Sequence, residues 1–372
     1  MRVVTIVIDS GGVGSLPDYA DYGDAPGADT LANVARSAGG IALPFLEGLG
    51  LGLLAGIRGV ARVRQPRAQV ARLRPRSRGK DSVTGHWEMA GIVTEVPFPT
   101  YPHGFPRDVV ERFAAICGRE PLGNTVASGT EIIERLGAEH LATGRPILYT
   151  SADSVFQVAA HERIVPLPML YAWCEAARAM LVAPHNVNRI IARPFVGEPG
   201  SFARTPNRRD YAIVPPPNVL DTLTAAGVPV HAVGKISDIF CGRGIASSVR
   251  VQNDGDAMAK TLDIVRTLDG GFVFTNLNDF DSKYGHRRDA AGYAAALQQF
   301  DAELSEVERA LAPGDRLIVT ADHGCDPTAP GTDHTREFVP FLHLGPHEGA
   351  ILGDLDGLDT VGKAVLSAFG AA

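Results

Sequence analysis

The stretch Asp315-Arg316-Leu317-Ile318-Val319-Thr320-Ala321-Asp322-His323-Gly324 decides how this chain is read. Its short apolar run, rich in β-branched residues, is the pattern of a buried strand. The run ends in an Asp and a His, two groups that are hard to bury, and then a Gly. In open α/β sheets, ligands bind just beyond the carboxyl ends of parallel strands. An Asp-His pair there points to a metal or acid–base site if other strand ends supply partners. Neighbouring side chains on a regular strand point to opposite faces. For both to serve one ion, the chain has to leave β geometry at Ala321.

Two more strand ends carry acids. Arg2 to Ile8 reads as a buried strand that stops at Asp9, before Ser10-Gly11-Gly12-Val13-Gly14. Those glycines fit neither a Walker A motif nor GxGxxG. Gly271 to Thr275 reads as a strand leading through Asn276 to Asp281 and His286. The loop after the opening stretch adds His334. Three carboxylates at one sheet edge repel one another, and divalent cations remove that penalty. Mixed Asp and His ligation suits Mn2+, Zn2+ or Fe. Six protein ligands are too many for one catalytic ion with an open position but suffice for two. Two such ions, roughly 3.5–4 Å apart, form a clamp for in-line phosphoryl displacement.

The 372 residues favour two or three domains, and 45% hydrophobic with 21% charged residues is ordinary for a soluble globular protein. A net charge of -7 argues against nucleic-acid binding by bulk electrostatics. Cys117, Cys174, Cys241 and Cys325 form no CxxC and read as small buried residues of a reducing compartment. The first apolar run is too short for a signal-peptide core, and no stretch reaches the length of a membrane span. The cytoplasm is the expected location. Prolines cluster at Pro97, Pro99, Pro102 and Pro106 and again at Pro215-Pro216-Pro217. They bound an insert, giving a discontinuous core of residues 1–97 and 216–372 and an α+β cap of residues 98–215. The cap's loop after the strand beginning at Arg189 carries Arg204, Arg208 and Arg209, which suit a phosphate or a solvated surface. Arg58 to Lys80 holds nine basic residues and no acidic one, and reads as a solvated face or mobile loop. Within Gly79-Lys80-Asp81-Ser82-Val83-Thr84-Gly85-His86-Trp87-Glu88-Met89, two hydroxyls precede a helix start. Each fits an N-cap, or a nucleophile whose pKa a metal lowers.

These motifs together resemble the alkaline phosphatase superfamily and, within it, the phosphopentomutase family. The matching stretches are Ile8-Asp9-Ser10, Gly79 to Met89, Tyr149 to Ser154, Ile191 to Phe195, Gly197 to Gly200, Val233 to Ile236, Asp279 to Arg288, and Thr320 to Pro327 with Asp333 to Glu337. The resemblance covers nearly the whole chain and is weakest over residues 50–78. It implies an α/β fold: an alkaline-phosphatase-like core with a mostly parallel sheet flanked by helices, plus the inserted cap. Thr84 matches the family's phosphorylated nucleophile. Asp9, Asp322 and His323 match one metal site, bridged by Thr84 or its phosphate, and Asp281, His286 and His334 match the other. Two divalent ions, normally Mn2+, are implied. Substrate contacts fall on Ser151, Asp153, Arg193, Lys235 and the arginine loop, where Arg189, Arg204 and Arg208 compete for the remaining phosphate. The implied reaction is an isomerisation between α-D-ribose 1-phosphate (or 2-deoxyribose 1-phosphate) and the 5-phosphate. It runs through a phosphothreonine and a bisphosphate intermediate, with a sugar bisphosphate such as glucose 1,6-bisphosphate as activator. The expected partner is a small phosphosugar, with neither nucleic acid nor membrane. A metal-dependent phosphatase or phosphodiesterase, a phosphoglycerate-type mutase using Ser82, and a non-catalytic phosphosugar-binding protein are the alternatives.

Overall fold

The structure is a computed structural model that describes residues 1–151 and 154–371. The expected substrate contact Asp153 lies outside the described residues. In chain order the strands are β1 (Arg2–Ile8), β2 (Gln69–Arg74), β3 (Leu122–Val126), β4 (Ile147–Thr150), β5 (Val155–His161), β6 (Arg189–Val196), β7 (Ala203–Arg204), β8 (Arg209–Ala212), β9 (Val230–Val233), β10 (Ser247–Val249), β11 (Gly271–Leu277), β12 (Arg316–Ala321), β13 (Val339–Leu344) and β14 (Ala350–Asp356). Two compact units share the chain, Met1–Pro97 with Pro215–Ala372, and Phe98–Val214.

The first unit is built on an eight-stranded sheet in the order β10-β9-β11-β1-β12-β13-β2-β14. Only β13 runs against the others. The central strands β11, β1 and β12 are parallel neighbours whose residues are almost all buried, which is why they read as continuous apolar runs. Their register fixes the site. Ile8 lies level with Leu277 on one side and Ala321 on the other. The chain therefore leaves the sheet at the same height after all three strands. Val4, Ile6 and Ile8 alternate along β1 and share one core with Leu31, Leu297 and Phe300 from the helices Thr30–Ser37 and Ala290–Ala310. The helix Ala290–Ala310 starts where Asp289 accepts a hydrogen bond from the Gly292 amide. A second set of helices, Ser82–Met89, Val219–Ala225 and Asp359–Phe369, packs together elsewhere on the unit.

Of the two forms expected for the basic run, a solvated face or a mobile loop, its middle takes the first, on a strand. Its middle is β2, paired on both sides inside the sheet. Val70, Ala71 and Leu73 are buried, while the arginines reach acids on neighbouring segments. Arg72 pairs with Asp354 at 2.6 Å, Arg74 with Asp356 at 3.5 Å and Arg76 with Asp359 at 2.6 Å. The acids that neutralise the run lie nearly 300 residues downstream, so a local window over residues 58–80 could not reveal them.

The second unit holds a six-stranded sheet in the order β3-β4-β5-β6-β7, with β8 also pairing β6. Its main core gathers Phe113, Phe156, Leu170 and Trp173 between that sheet and the helices Arg107–Cys117 and Leu167–Met180. The segment read from sequence as a Gly/Pro loop contains the short strands β7 and β8. Cys117, Cys174 and Cys325 are buried, but Cys241 is exposed, against expectation. No helix among the described residues is long and apolar enough to cross a membrane.

Leu73 is fully buried in β2, whereas the Arg72–Asp354 pair is at least a third exposed. Leu73→Ala should therefore lower unfolding free energy by about 2–5 kcal/mol. Arg72→Ala should change it by about 1 kcal/mol or less. Urea denaturation of both variants checks this; equal, small effects would mean that the run is the solvated loop its charge suggested.

Candidate metal centre

Each central strand delivers part of one cluster. Asp9 follows β1 directly and is fully buried. Asp322 and His323 follow β12, which ends at Ala321, so the chain has left β geometry where both side chains need to share a face. After β11 the chain enters a π-helical turn, Phe280–Gly285. The His286 amide bonds the Asp281 carbonyl five residues back at 2.9 Å. That i→i+5 bond stacks His286 over Asp281, which an α-helical turn would rotate apart. His334 arrives on the loop between β12 and β13.

The donor atoms fall into two compact groups, Asp281 with His286 and His334, and Asp9 with Asp281 and His323. Asp281 Oδ1 lies 3.1 Å from His334 Nε2, and Asp281 Oδ2 lies 3.4 Å from His286 Nε2. His323 Nε2 lies 3.4 Å from Asp9 Oδ1 and 3.5 Å from Asp322 Oδ2. The rings of His323 and His334 stack at 3.9 Å between centroids. Asp322 Oδ1 accepts the amides of Ser10 and His323, both at 3.1 Å.

The free atoms fit a metal. Among the described residues, Asp281 Oδ1, Asp322 Oδ2 and His334 Nε2 are buried without a hydrogen-bond partner. Asp281 Oδ1 and His334 Nε2 face each other at 3.1 Å, close enough for both to reach one ion. His286 Nδ1 lies 2.6 Å from the Thr332 carbonyl and His323 Nδ1 lies 3.1 Å from the Gly324 carbonyl. A carbonyl beside Nδ1 favours a proton on that nitrogen, so Nε2 is the nitrogen each ring would offer to an ion.

Protein cations adjoin the carboxylates. Burial works against ionisation of Asp9, but Lys235 and then His323 outweigh it and hold the carboxyl well below its usual range. Lys235 Nζ lies 3.2 Å from Asp9 Oδ2, which also accepts from Asn276 Nδ2 at 3.1 Å. Lys235 thus sits on a carboxylate of the cluster. Burial alone would discharge His323, yet Asp322, Asp9 and Asp281 lift its pKa to about 10.

The hydroxyls are arranged less simply. Asp81, not Ser82 or Thr84, is the N-cap of the helix Ser82–Met89. One of its oxygens takes the Thr84 amide at 3.1 Å and the other the Thr84 hydroxyl at 2.6 Å. The hydroxyl recorded on the cluster is that of Ser82, 3.3 Å from Asp9 Oδ1 and 3.2 Å from His323 Nε2. The helix start presses on the metal loop. A side chain at Gly85 would run into the Asp322 carbonyl. His86 Nδ1 lies 3.2 Å from Asp322 Oδ2 but is closer to the Ser82 carbonyl, at 2.8 Å.

In the sequence, Glu337 is one more charged residue of the motif around His334. It is a buried carboxylate that accepts from the Gly14 and Thr30 amides and from the Thr30 and Thr335 hydroxyls. Any side chain at Gly12 would occupy its place. Burial pushes its pKa up to about 7, with Thr30 and Thr335 opposing. One side chain thus ties the loop after Asp9 to the loop carrying His334.

In the second unit, Ser151 follows β4. Arg193 donates to Gln157 Oε1 at 3.1 Å, and its Nε is buried without a partner. The Tyr149 hydroxyl is buried beside it; burial pushes its pKa up, and Arg193, by its charge and a hydrogen bond, opposes the rise together with the charges of Arg204 and Arg208. Arg208 makes a two-pronged pair with Asp210 at 2.6 Å, and Arg189 reaches the same carboxylate at 3.6 Å. Tyr149 was not singled out, because a buried tyrosine in an apolar strand looks like core until its neighbours are known.

The chain matches the Metalloenzyme superfamily over residues 1–372. In fold it is similar to the PH0037 protein of Pyrococcus horikoshii, with a TM-score of 0.51 at 14% identity, covering 99% of this chain and 97% of that one. The protein is therefore a member of that metalloenzyme class. Its sequence is 50% identical over 371 residues to the phosphopentomutase of Clostridium novyi (strain NT), covering 99% of this chain and 95% of the relative. It is 53% identical over 355 residues to that of Caldanaerobacter subterraneus subsp. tengcongensis, covering 95% and 90%. It is 52% identical over 374 residues to that of Anaeromyxobacter sp. (strain K), covering 99% and 95%. The chain belongs to the phosphopentomutase family and is an enzyme of the isomerase class.

The unfolded chain gives up the His323 proton near pH 6.5, and the folded metal-free protein keeps it to about pH 10. Metal-free protein should therefore lose stability as pH rises through that window. Urea midpoints measured across it, with metal chelated, check the sign, and His323→Asn should flatten the dependence.

Proposed function

We propose that this enzyme interconverts α-D-ribose 1-phosphate, or its 2-deoxy counterpart, with the 5-phosphate through phospho-Thr84. The observation that carries the reading is the cluster of Asp9, Asp281, Asp322, His286, His323 and His334, with three buried donor atoms that have no partner. Two divalent ions, Mn2+ by the family resemblance, would be held there, Asp9, Asp322 and His323 serving one and Asp281, His286 and His334 the other. When bound, they supply charge neutralisation and a lowered hydroxyl pKa.

The protein's own groups do the positioning. The helix Ser82–Met89 points the positive end of its dipole at a phosphoryl group on Thr84. The Thr84 Oγ–P bond breaks as a bond to the free sugar hydroxyl forms, and in net terms that hydroxyl's proton ends on the threonine oxygen. The bisphosphate then returns its other phosphoryl group to Thr84. A bisphosphate such as glucose 1,6-bisphosphate would prime the threonine. Arg193, Arg204 and Arg208 all act on one buried tyrosine hydroxyl, and like charges so gathered suit the phosphate that is not reacting. Ser151 and Asp153 are proposed for the ribose hydroxyls and Lys235 for substrate phosphate. Lys235 would exchange Asp9 for substrate once metal neutralises that carboxylate.

The placement of Ser82 against Asp9 and His323 favours a second reading, in which Ser82 carries the phosphoryl group. Substitution separates the two. Thr84→Ala should lower turnover by at least about a thousandfold while metal still binds. Ser82→Ala should retain turnover; the reverse result would move the carrier to Ser82. The reaction itself is followed by 31P NMR of ribose 1-phosphate with Mn2+ and a trace of glucose 1,6-bisphosphate. The 5-phosphate signal should grow without inorganic phosphate, and inorganic phosphate alone would reject a mutase.

Arg193→Ala should raise KM about tenfold or more, the worth of a hydrogen bond to a charged group, and leave the metal content unchanged. Steady-state kinetics with metal analysis checks it. An unchanged KM would remove Arg193 from the phosphate site.

A further inference from the structure

Arg336 lies two residues after His334 and is 4% exposed, yet its guanidinium touches no substrate or metal group. Every N–H it carries has an acceptor. Nη1 donates to the Ser77 carbonyl at 2.8 Å and the Gly79 carbonyl at 2.9 Å. Nη2 donates to the Pro75 carbonyl at 3.1 Å and to Asp18 Oδ2 at 3.2 Å, and Nε reaches the same carboxylate at 3.3 Å. The guanidinium face rests 4.5 Å from the centre of the Tyr22 ring. Its backbone amide donates to Asp24.

The segment it grips, Pro75 to Gly79, links β2 to the Asp81 cap and so to Thr84. The opposite edge of that segment is held by the helix it leads into. Glu88, fully buried, accepts the Arg76 amide at 2.9 Å and the Ser77 amide at 2.7 Å. Carbonyls on Arg336 and amides on Glu88 leave the segment no freedom to slide. A second tie runs the same way. Lys80 Nζ reaches Asp24 Oδ1 at 2.6 Å and Asp333 Oδ2, beside His334, at 3.0 Å.

We propose that Arg336 is a positioning residue for phosphoryl transfer, holding the Thr84 helix at a fixed distance from the His334 loop. The inference rests on the reading of Thr84 as carrier and His334 as ligand. A planar fork is required, because five donors in one plane meet three carbonyls and a carboxylate, whereas an ammonium offers three donors.

Arg336→Lys keeps the charge and loses the fork. Measured at saturating Mn2+ and corrected for folded fraction, its kcat should fall about 10- to 100-fold, the scale expected of a misplacement near 1 Å. KM for ribose 1-phosphate should stay within about twofold, since no uniform substrate binding is removed. A brace that only stabilises would lower the melting temperature and leave the kcat of folded enzyme intact, and that result overturns the proposal. Asp18→Asn weakens the same grip from outside the active site and should lower kcat in the same direction by less. If Arg336→Lys does not fold, an unchanged kcat in Asp18→Asn overturns the proposal by itself. Thr84→Ala is assayed in parallel, and turnover retained there would mean that the carrier assignment, not the clamp, has failed.

Discussion

Asp9, Asp281 and Asp322 follow three neighbouring strands and lie buried together, and like charges so placed stay ionised only where cations reach them. Much of the surrounding structure answers that constraint. Lys235 and His323 lie against Asp9 and favour its charged form. Asn276 and the Ser10 amide occupy further lone pairs. The atoms left over are Asp281 Oδ1, Asp322 Oδ2 and His334 Nε2. The polypeptide therefore satisfies the cluster only in part, and what it leaves unsatisfied has the donor character of a metal site.

The register of β11, β1 and β12 made the strand-end acids readable from sequence. A buried parallel strand is a continuous apolar run, so the first carboxylate after it marks where the chain emerges. Three such runs ending near acids implied one sheet edge; Asp281 lies within 3.4 Å of His286 and His334, and His323 within 3.5 Å of Asp9 and Asp322. The π-turn that stacks His286 over Asp281 was not legible, since one extra residue per turn leaves no periodic signature in a six-residue segment.

Other features escaped for the opposite reason: their logic is non-local. β2 was hidden because arginine at alternate positions looks solvated until β14 supplies Asp354 and Asp356. Glu337 and Arg336 looked like two more charged residues in a motif. Their worth lies in carbonyls, amides and hydroxyls of segments roughly 250 to 320 residues away, groups that every residue or many residues carry and that sequence does not distinguish. The α/β alternation, by contrast, is a property of each segment and was visible throughout the core.

The bond from Thr84 to Asp81 bears on how the proposed carrier works. Phosphorylation removes the hydroxyl hydrogen that Asp81 accepts and adds nearly two negative charges. Asp81 then faces an anion instead of a donor, so the threonine side chain has reason to rotate away from its cap. The Asp81 carboxylate retains the Thr84 amide through its other oxygen, so the helix start can persist while the side chain turns. Arg336 and Glu88 hold the segment that precedes this cap from both edges. On the proposed reading, the backbone around Thr84 is fixed and the side chain alone changes partner. That division suits a group that must accept and return a phosphoryl group repeatedly without disturbing the ligands beside it.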